Sequence, residues 1–306
     1  MADKGASILV KLKNKAKASG INYQQCLQLF FQEEFLRRLS KSRYADNLVL
    51  KGGLFIYALT GFESRATIDI DFLLRRMDSD LAHMDEVITE ILETPTGHND
   101  VVLLRAKKTE LISVQRKYHG VSTQITGSIK NVRVPFNVDI GVGDVIVPKA
   151  EKRTIQTQLN GYDVPEVYTY SLESTIAEKF DAILQRFELT GRMKDFYDIY
   201  YLARAFDFDG RSLQEAVAQT LENRGTPYER DSLERMLQLV DDDDMRIKWH
   251  YFLKNIGGKE LLFADVMKTI GIFLAPVFAS IIRENEWLKK WRAESQVWHS
   301  IDGDNC

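Results

Sequence analysis

Apolar residues recur at helical spacing along the first forty positions. Leu27, Phe30, Phe31, Phe35 and Leu39 fall on one stripe, so residues 8–40 are predicted helical. The pattern then shortens. Leu48-Val49-Leu50 is a brief apolar run that ends in Lys51-Gly52-Gly53, and a short helix is predicted from there to Leu59, closed by Gly61. From Ala66 to Leu74 apolar and polar residues alternate, which predicts a strand with Ile68, Ile70 and Phe72 toward a core and Thr67, Asp69 and Asp71 on the opposite face. Residues 80–92 carry a helical pattern, followed by a Thr94-Pro95-Thr96-Gly97 turn. Stretches rich in Val, Ile and Thr then predict strands over 101–104, 111–115, 123–126 and 132–140. Residues 145–165 show no period and contain Pro148, Gly161 and Pro165, which marks a boundary.

Beyond the boundary the period changes. Leu172, Ile176, Phe180, Ile183, Leu184 and Phe187 define an amphipathic helix with Ser171 placed to cap it, and a second helix is predicted from Met193 to Arg204. The chain reads as helical from there to about residue 296, including 213–222 and 233–240. The predicted fold is α/β of the α+β kind: a small mixed sheet flanked by helices, followed by a helical C-terminal domain. The predicted divisions are a helical segment over 1–46, a core over 47–165 and a helical domain over 166–306.

Composition narrows the partners. A chain of 306 residues has a prior of about two domains. Its net charge of −3 offers no global attraction to nucleic acid, so an RNA or DNA partner would need a local basic patch. The clusters Lys11-Lys13-Lys15-Lys17 and Arg37-Arg38-Lys41-Arg43 are the places for one, although solvated helix faces explain them as well. Cys26 and Cys306 exclude a disulfide framework and a four-ligand zinc site, which points to a reducing cytoplasm. No signal-peptide pattern opens the chain. The longest apolar stretch, Ile270 to Ile282, is too short to span a bilayer and contains Gly271 and Pro276, so a buried helix with a break is expected and no membrane partner.

The densest chemistry is Thr67-Ile68-Asp69-Ile70-Asp71-Phe72. Two carboxylates on one strand face repel unless a cation lies between them, and a hard divalent ion shared with phosphates meets that need. Solvated acids on an edge strand are the plain alternative. Lys51-Gly52-Gly53, between strand and helix, would let a phosphate approach the backbone, or it is simply a tight turn. It is not a P-loop, since no Gly-Lys-Ser/Thr follows. Asp139, in another alternating strand, could add a third carboxylate or precede a turn at Gly141. In the helical half, Lys179 and Arg186 are seven residues apart and would share a helix face. Asp195 and Asp198 stand at i and i+3 of the next helix, where Lys194 could pair with Asp198. Neither metal-ligand spacing among the histidines nor a Gly-x-Ser-x-Gly elbow is present.

Taken in order, Leu50-Lys51-Gly52-Gly53, Arg65-Ala66-Thr67-Ile68-Asp69-Ile70-Asp71-Phe72, Ala177-Glu178-Lys179-Phe180, Arg186, and Arg192-Met193-Lys194-Asp195-Phe196-Tyr197-Asp198-Ile199-Tyr200 resemble the AbiEii/AbiGii-type toxins. That family is a branch of the nucleotidyltransferase superfamily, and the likeness spans residues 47–202. The resemblance implies a nucleotidyltransferase-type sheet. It implies that Asp69 and Asp71 bind catalytic Mg²⁺ or Mn²⁺, with Asp139 as a third ligand by placement only. Gly52 and Gly53, with Lys51, would face the phosphates of an NTP, and Thr67, Arg65 and Arg186 would help to bind it. Lys179 would contact the triphosphate and Asp195 would be the additional motif acid, with Asp198 an alternative for that role. The implied activity is that of a toxin in a toxin–antitoxin or phage-defence pair. It moves a nucleoside monophosphate to an RNA acceptor, with the 3′ end of tRNA favoured, and so blocks translation. The antitoxin would come from a neighbouring gene and need not touch the toxin.

Two other readings share these motifs: transfer to a protein hydroxyl, and a catalytically idle nucleotide-binding module. A haloacid-dehalogenase-like phosphatase also carries Asp-x-Asp after an apolar strand, but Leu73 stands where that pattern wants Thr or Val.

Overall fold

A computed structural model describes residues 3–61, 64–65, 67–112, 120–187, 191–258 and 260–300. The chain forms two compact units, one of Met1–Gly143 with Glu151–Tyr170, the other of Asp144–Ala150 with Ser171–Cys306.

The first unit contains α1 (Lys4–Ser19), α2 (Tyr23–Lys41), β1 (Leu48–Lys51), α3 (Gly52–Leu59), β2 (Ile70–Leu74), α4 (Leu81–Glu93), β3 (Leu103–Ile112), β4 (Gly120–Ile129), β5 (Val132–Gly141), β6 (Glu151–Thr154) and β7 (Glu166–Thr169). Its sheet runs β3-β4-β5-β2-β1-β7-β6. The β2–β5 and β1–β7 pairs are parallel and the rest antiparallel, which makes the sheet mixed. Alternation along β5 buries Val134, Phe136, Val138 and Ile140 and leaves Asn137 and Asp139 half-buried on the other face. The buried face meets α2, where Phe35 lies 5.9 Å from Phe72 between ring centres.

Several expectations change here. The long N-terminal helix is two helices, broken at Gly20, and both belong to the sheet-bearing unit rather than forming a separate segment. The two short strands expected over 101–104 and 111–115 meet in one strand, β3, over Leu103–Ile112, and residues 113–115 lie outside the described residues. The irregular stretch 145–165 contains β6, which returns as an edge strand beside β7. β2 starts at Ile70, with the expected start at Ala66 outside the described residues, and Ile68 is not a core residue; it is 65% exposed.

Arg37 and Arg38 are buried, which removes them from any surface patch. Arg37 Nε lies 3.0 Å from Glu34 and its Nη1 3.8 Å from Glu33, with its guanidinium 5.1 Å from the centre of the Tyr162 ring. Arg38 Nε lies 3.0 Å from Glu34, and its Nη2 donates to the Val102 carbonyl at 2.7 Å. Burying these charges is tolerable because each meets an opposite charge or a carbonyl. The lysines of α1 behave as a solvated face: Lys11, Lys13 and Lys17 are exposed and Lys15 is half-buried.

The second unit contains α5 (Leu172–Leu184), α6 (Met193–Ala205), β8 (Phe208–Asp209), α7 (Gly210–Arg224), α8 (Ser232–Gln238), α9 (Asp243–Asn255), α10 (Phe263–Ile282), β9 (Lys289–Arg292) and β10 (Val297–Ser300). Ser171 caps α5, its hydroxyl accepting from the Ser174 N–H at 3.0 Å. α10 is one helix of 20 residues that passes through Gly271 and Pro276 without the expected break. Its length and composition would suffice to cross a membrane, but Val266, Ile270, Phe273, Leu274 and Val277 are buried within this unit, as in a core helix. The C-terminal stretch read as helical ends in a hairpin instead. Trp291 is fully buried on β9 between the outward Lys290 and half-buried Arg292, a period of two that the helical reading overlooked.

Candidate active site

One row of side chains crosses four neighbouring strands of the first unit. Ser122 on β4 is in register with Asp139 on β5, Asp139 with Asp71 on β2, and Asp71 with Lys51 on β1. Register partners project from the same face, so the row brings Ser122, Asp139, Asp71 and Lys51 side by side. Ser122 donates its hydroxyl to Asp139 Oδ1 at 2.5 Å. At the other end Lys51 Nζ lies 5.1 Å from the centre of the Tyr170 ring. A hydroxyl, two acids and a cation thus share one line, and both acids are half-buried.

The tandem glycines fit against this row. Gly52 has φ +70°, and a Cβ built there would lie 2.1 Å from Asp71 Oδ2. A Cβ on Gly53 would lie 2.9 Å from Thr67 Cβ and Oγ1. The glycine pair therefore does more than turn the chain from β1 into α3: it makes room for the acid and for the hydroxyl two residues before Asp69. The first N–H groups of α3 lie at the same turn, and Lys51, its N-cap residue, makes no side-chain capping bond to them.

Asp69 and Thr67 lie upstream of the β2 ladder, where Thr67 Oγ1 donates to the Asp69 carbonyl at 3.4 Å. Asp69 is half-buried, and Arg65 is half-buried in the coil between α3 and β2. The strand thus carries Asp71 alone of the two acids, with Asp139 and Lys51 as its register partners. Among the described residues no three His, Cys, Asp or Glu side chains are gathered as a metal-binding group, so the expected set of Asp69, Asp71 and Asp139 does not form a ready-made cluster. What the row does provide is a neighbouring pair of carboxylates. Their hard oxygens suit Mg²⁺ or Mn²⁺, ions commonly held by one or two carboxylates with substrate phosphates completing the shell.

The motif residues of the second unit form a cluster of their own. Lys179 on α5 places Nζ 3.2 Å from Asp195 and 2.5 Å from Asp198, both on α6. Arg192, at the start of α6, bonds Asp195 from the other side. Both acids are 1% exposed. Burial alone would raise the Asp195 carboxyl, but the Lys179 charge and the Arg192 hydrogen bond outweigh it and hold it below the usual carboxylate range. Asp198 pairs with Lys179. Arg186 falls outside the expected arrangement: α5 ends at Leu184, and Arg186 is exposed beyond its cap.

Sequence reasoning missed Ser122, Tyr170 and Arg224. Arg224 on α7 lies within 3.0 Å of Asp144, Glu178 and Asp181, and these acids hold its guanidinium proton more tightly than usual despite burial. Ser122 had one signal, the period of two along β4. The other two contacts join distant parts of the chain and have no local signature.

The sequence model of the nucleotidyl transferase AbiEii toxin family, described as a Type IV toxin–antitoxin system, matches residues 34–269. No curated protein sequence matches the chain. Among solved structures it is similar to MenT4, a nucleotidyltransferase toxin from Mycobacterium tuberculosis H37Rv, at 17% identity over 85% of this chain and 77% of that one, with a TM-score of 0.50. It is also similar to JHP933 from Helicobacter pylori, at 14% identity over 86% of this chain and 95% of that one, with a TM-score of 0.49. At 17% identity the likeness to MenT4 speaks for the fold alone. The family match is of another kind, because it covers well over half of the sequence and includes the glycine turn, the Asp-x-Asp and the Lys179 cluster: this chain belongs to the AbiEii nucleotidyltransferase toxin family.

Proposed function

We propose that the protein transfers a nucleoside monophosphate from an NTP to an RNA hydroxyl, with the 3′ end of tRNA as the acceptor, and that this transfer blocks translation in the cytoplasm. The observation that carries the reading is the row Ser122–Asp139–Asp71–Lys51 beside the glycine turn. A donor triphosphate needs hard oxygen ligands for its cation, backbone N–H groups for its phosphates and fixed positive charge. The row, the start of α3 and Lys51 supply these in one place.

In this reading Asp71 and Asp139 would hold a divalent cation, Mg²⁺ or Mn²⁺, with Asp69 as the further ligand that the resemblance implies. When bound, that ion neutralises phosphate charge and orients the α-phosphorus. Ser122 fixes the rotamer of Asp139 through its hydrogen bond. Lys51, Gly52, Gly53 and Thr67 line the phosphate side, with Arg65 as a further nucleotide-binding residue. The acceptor oxygen forms a bond to the α-phosphorus while the bond to the bridging oxygen of pyrophosphate breaks. The hydroxyl proton passes to a carboxylate of the site. Within the second unit Asp195 and Asp198 set Lys179, and the family resemblance alone assigns that lysine to the triphosphate. An antitoxin from a neighbouring gene completes the pair.

The test is incubation of the purified protein with each α-labelled NTP, Mg²⁺ or Mn²⁺, and either total tRNA or cell extract. Label at RNA 3′ ends supports the proposal. Label in protein moves the acceptor to a protein hydroxyl, and binding of NTP with no label anywhere leaves an idle nucleotide-binding module.

A further inference from the structure

The residues that lead into the Asp-x-Asp are held by side chains, not by a ladder. β2 begins at Ile70, so the Ile68 carbonyl lies outside the strand. Two glutamines of α2 take it: Gln28 Nε2 donates to that oxygen at 2.6 Å and Gln32 Nε2 at 2.8 Å. They stand at i and i+4, on one face of the helix. A carbonyl oxygen has two lone pairs, and here both are engaged by amide donors. Gln32 is 1% exposed, whereas the side chain of Ile68 is 65% exposed, so the clamp anchors the backbone and not a hydrophobic contact. Ordering two glutamines opposes folding entropically, which makes their convergence on one peptide group a notable use of two long side chains. Both residues precede the span 34–269 matched by the family, so that match assigns them nothing.

We propose that Gln28 and Gln32 are positioning residues, which fix the Ile68–Asp69 peptide and thereby hold Asp69 where it can serve with Asp71. Its catalytic consequence rests on the nucleotidyl-transfer reading; its structural consequence does not. Thr67, whose side chain packs on Gly53, and the start of β2 also tie the segment. A cavity of about 50 Å³ lined by Gln28, Gln32, Tyr57 and Thr67 borders the clamp, so a methionine of similar length fits either position while removing the donor.

The experiment compares the wild-type chain with Gln28→Met, Gln32→Met and the double variant. It measures amide hydrogen exchange of the peptide 64–72, Tm, and kcat and KM for the NTP in the labelling assay. The double variant should exchange about tenfold faster in that peptide alone. Its kcat should fall roughly tenfold to a hundredfold, with KM within about threefold of wild type. Each single variant keeps one donor and should lose less. Exchange that stays unchanged in a folded double variant overturns the clamp. Faster exchange with undiminished kcat overturns its catalytic role. If the double variant does not fold, the single variants decide by the same measures. If the wild-type chain labels nothing with any NTP, the transfer reading fails by itself, and the exchange rates still decide whether the glutamines hold the segment.

Discussion

The two units use paired aspartates in opposite ways. Asp71 and Asp139 stand half-buried on a sheet face, with a serine and a lysine flanking them in the same row. Asp195 and Asp198 are 1% exposed and close on Lys179, with Arg192 behind. Carboxylates reachable from solvent can exchange a partner for a ligand. Carboxylates sealed in an ion cluster cannot do so without leaving a buried cation uncompensated. On the proposed reading the first pair meets something from outside, and the second fixes one lysine in place. Removing an acid from each should therefore damage different properties, activity in one and stability in the other.

The largest effect is expected at Asp71. Asp71→Ala should lower transfer by about a thousandfold or more, since the cation loses a ligand and the row loses its centre. The folding free energy should move by about 1 kcal/mol or less, because the side chain is not in the core. Asp69→Ala should behave likewise. Labelling assays paired with urea denaturation separate the two quantities, and retained transfer in both variants would remove the metal assignment. Asp198→Ala should show the reverse emphasis. Breaking a buried pair is expected to cost about 3–5 kcal/mol, seen as a lower urea midpoint. A variant as stable as wild type would show that the cluster is not structural, and the contrast between the units would collapse.

How much of this was legible in the sequence follows from the range of each interaction. The apolar periods located most helices and strands, and the order of the glycine turn, Asp-x-Asp and Lys-Asp motifs carried the family. The register of Asp71 against Asp139 was guessed only as a shared sheet, because pairing between β2 and β5 depends on the whole topology. Ile68 was misplaced for a similar reason. Alternation of residue types continues past the point where hydrogen bonding starts, and the Gln28 and Gln32 contacts that turn the segment lie 40 and 36 positions away. Arg37 and Arg38 read as surface cations because nothing local shows that Glu33 and Glu34, one turn earlier, would be buried with them.

A finer test of the open row comes from Gly52→Ala. Its φ of +70° disfavours an L side chain, and the new Cβ would lie 2.1 Å from Asp71 Oδ2. Asp71 must then shift. Transfer is expected to fall by about a hundredfold, as for a displacement on the order of 1 Å at a reacting centre. Gly53→Ala meets the side chain of Thr67 at 2.9 Å and leaves Asp71 untouched, so its loss should be smaller. Equal losses at the two glycines would mean that the turn itself matters and the acid's cradle does not.

The smallest effect sharpens what a sealed acid does when its compensation is incomplete. Glu33 is fully buried, and burial pushes its carboxyl up to about 7, with the Arg37 charge and the Gln158 N–H only partly opposing it. The unfolded chain has the ordinary value of 4.5, so between these two limits the folded state binds more protons than the unfolded state. Stability then falls as pH rises, by about 2 kcal/mol from pH 5 to pH 7 on this group's account. Asp195 runs the other way: its carboxyl is held below 3.8, so its contribution is present above that value and is lost only as acid reaches the folded value. Glu33→Gln keeps an acceptor for the Gln158 N–H, which lies 2.9 Å away, and carries no proton to titrate. The variant should flatten the slope of urea stability between pH 5 and pH 7 without altering the acid limb. A slope that survives the substitution would assign the neutral-range titration to another group and leave Glu33 charged beside Arg37.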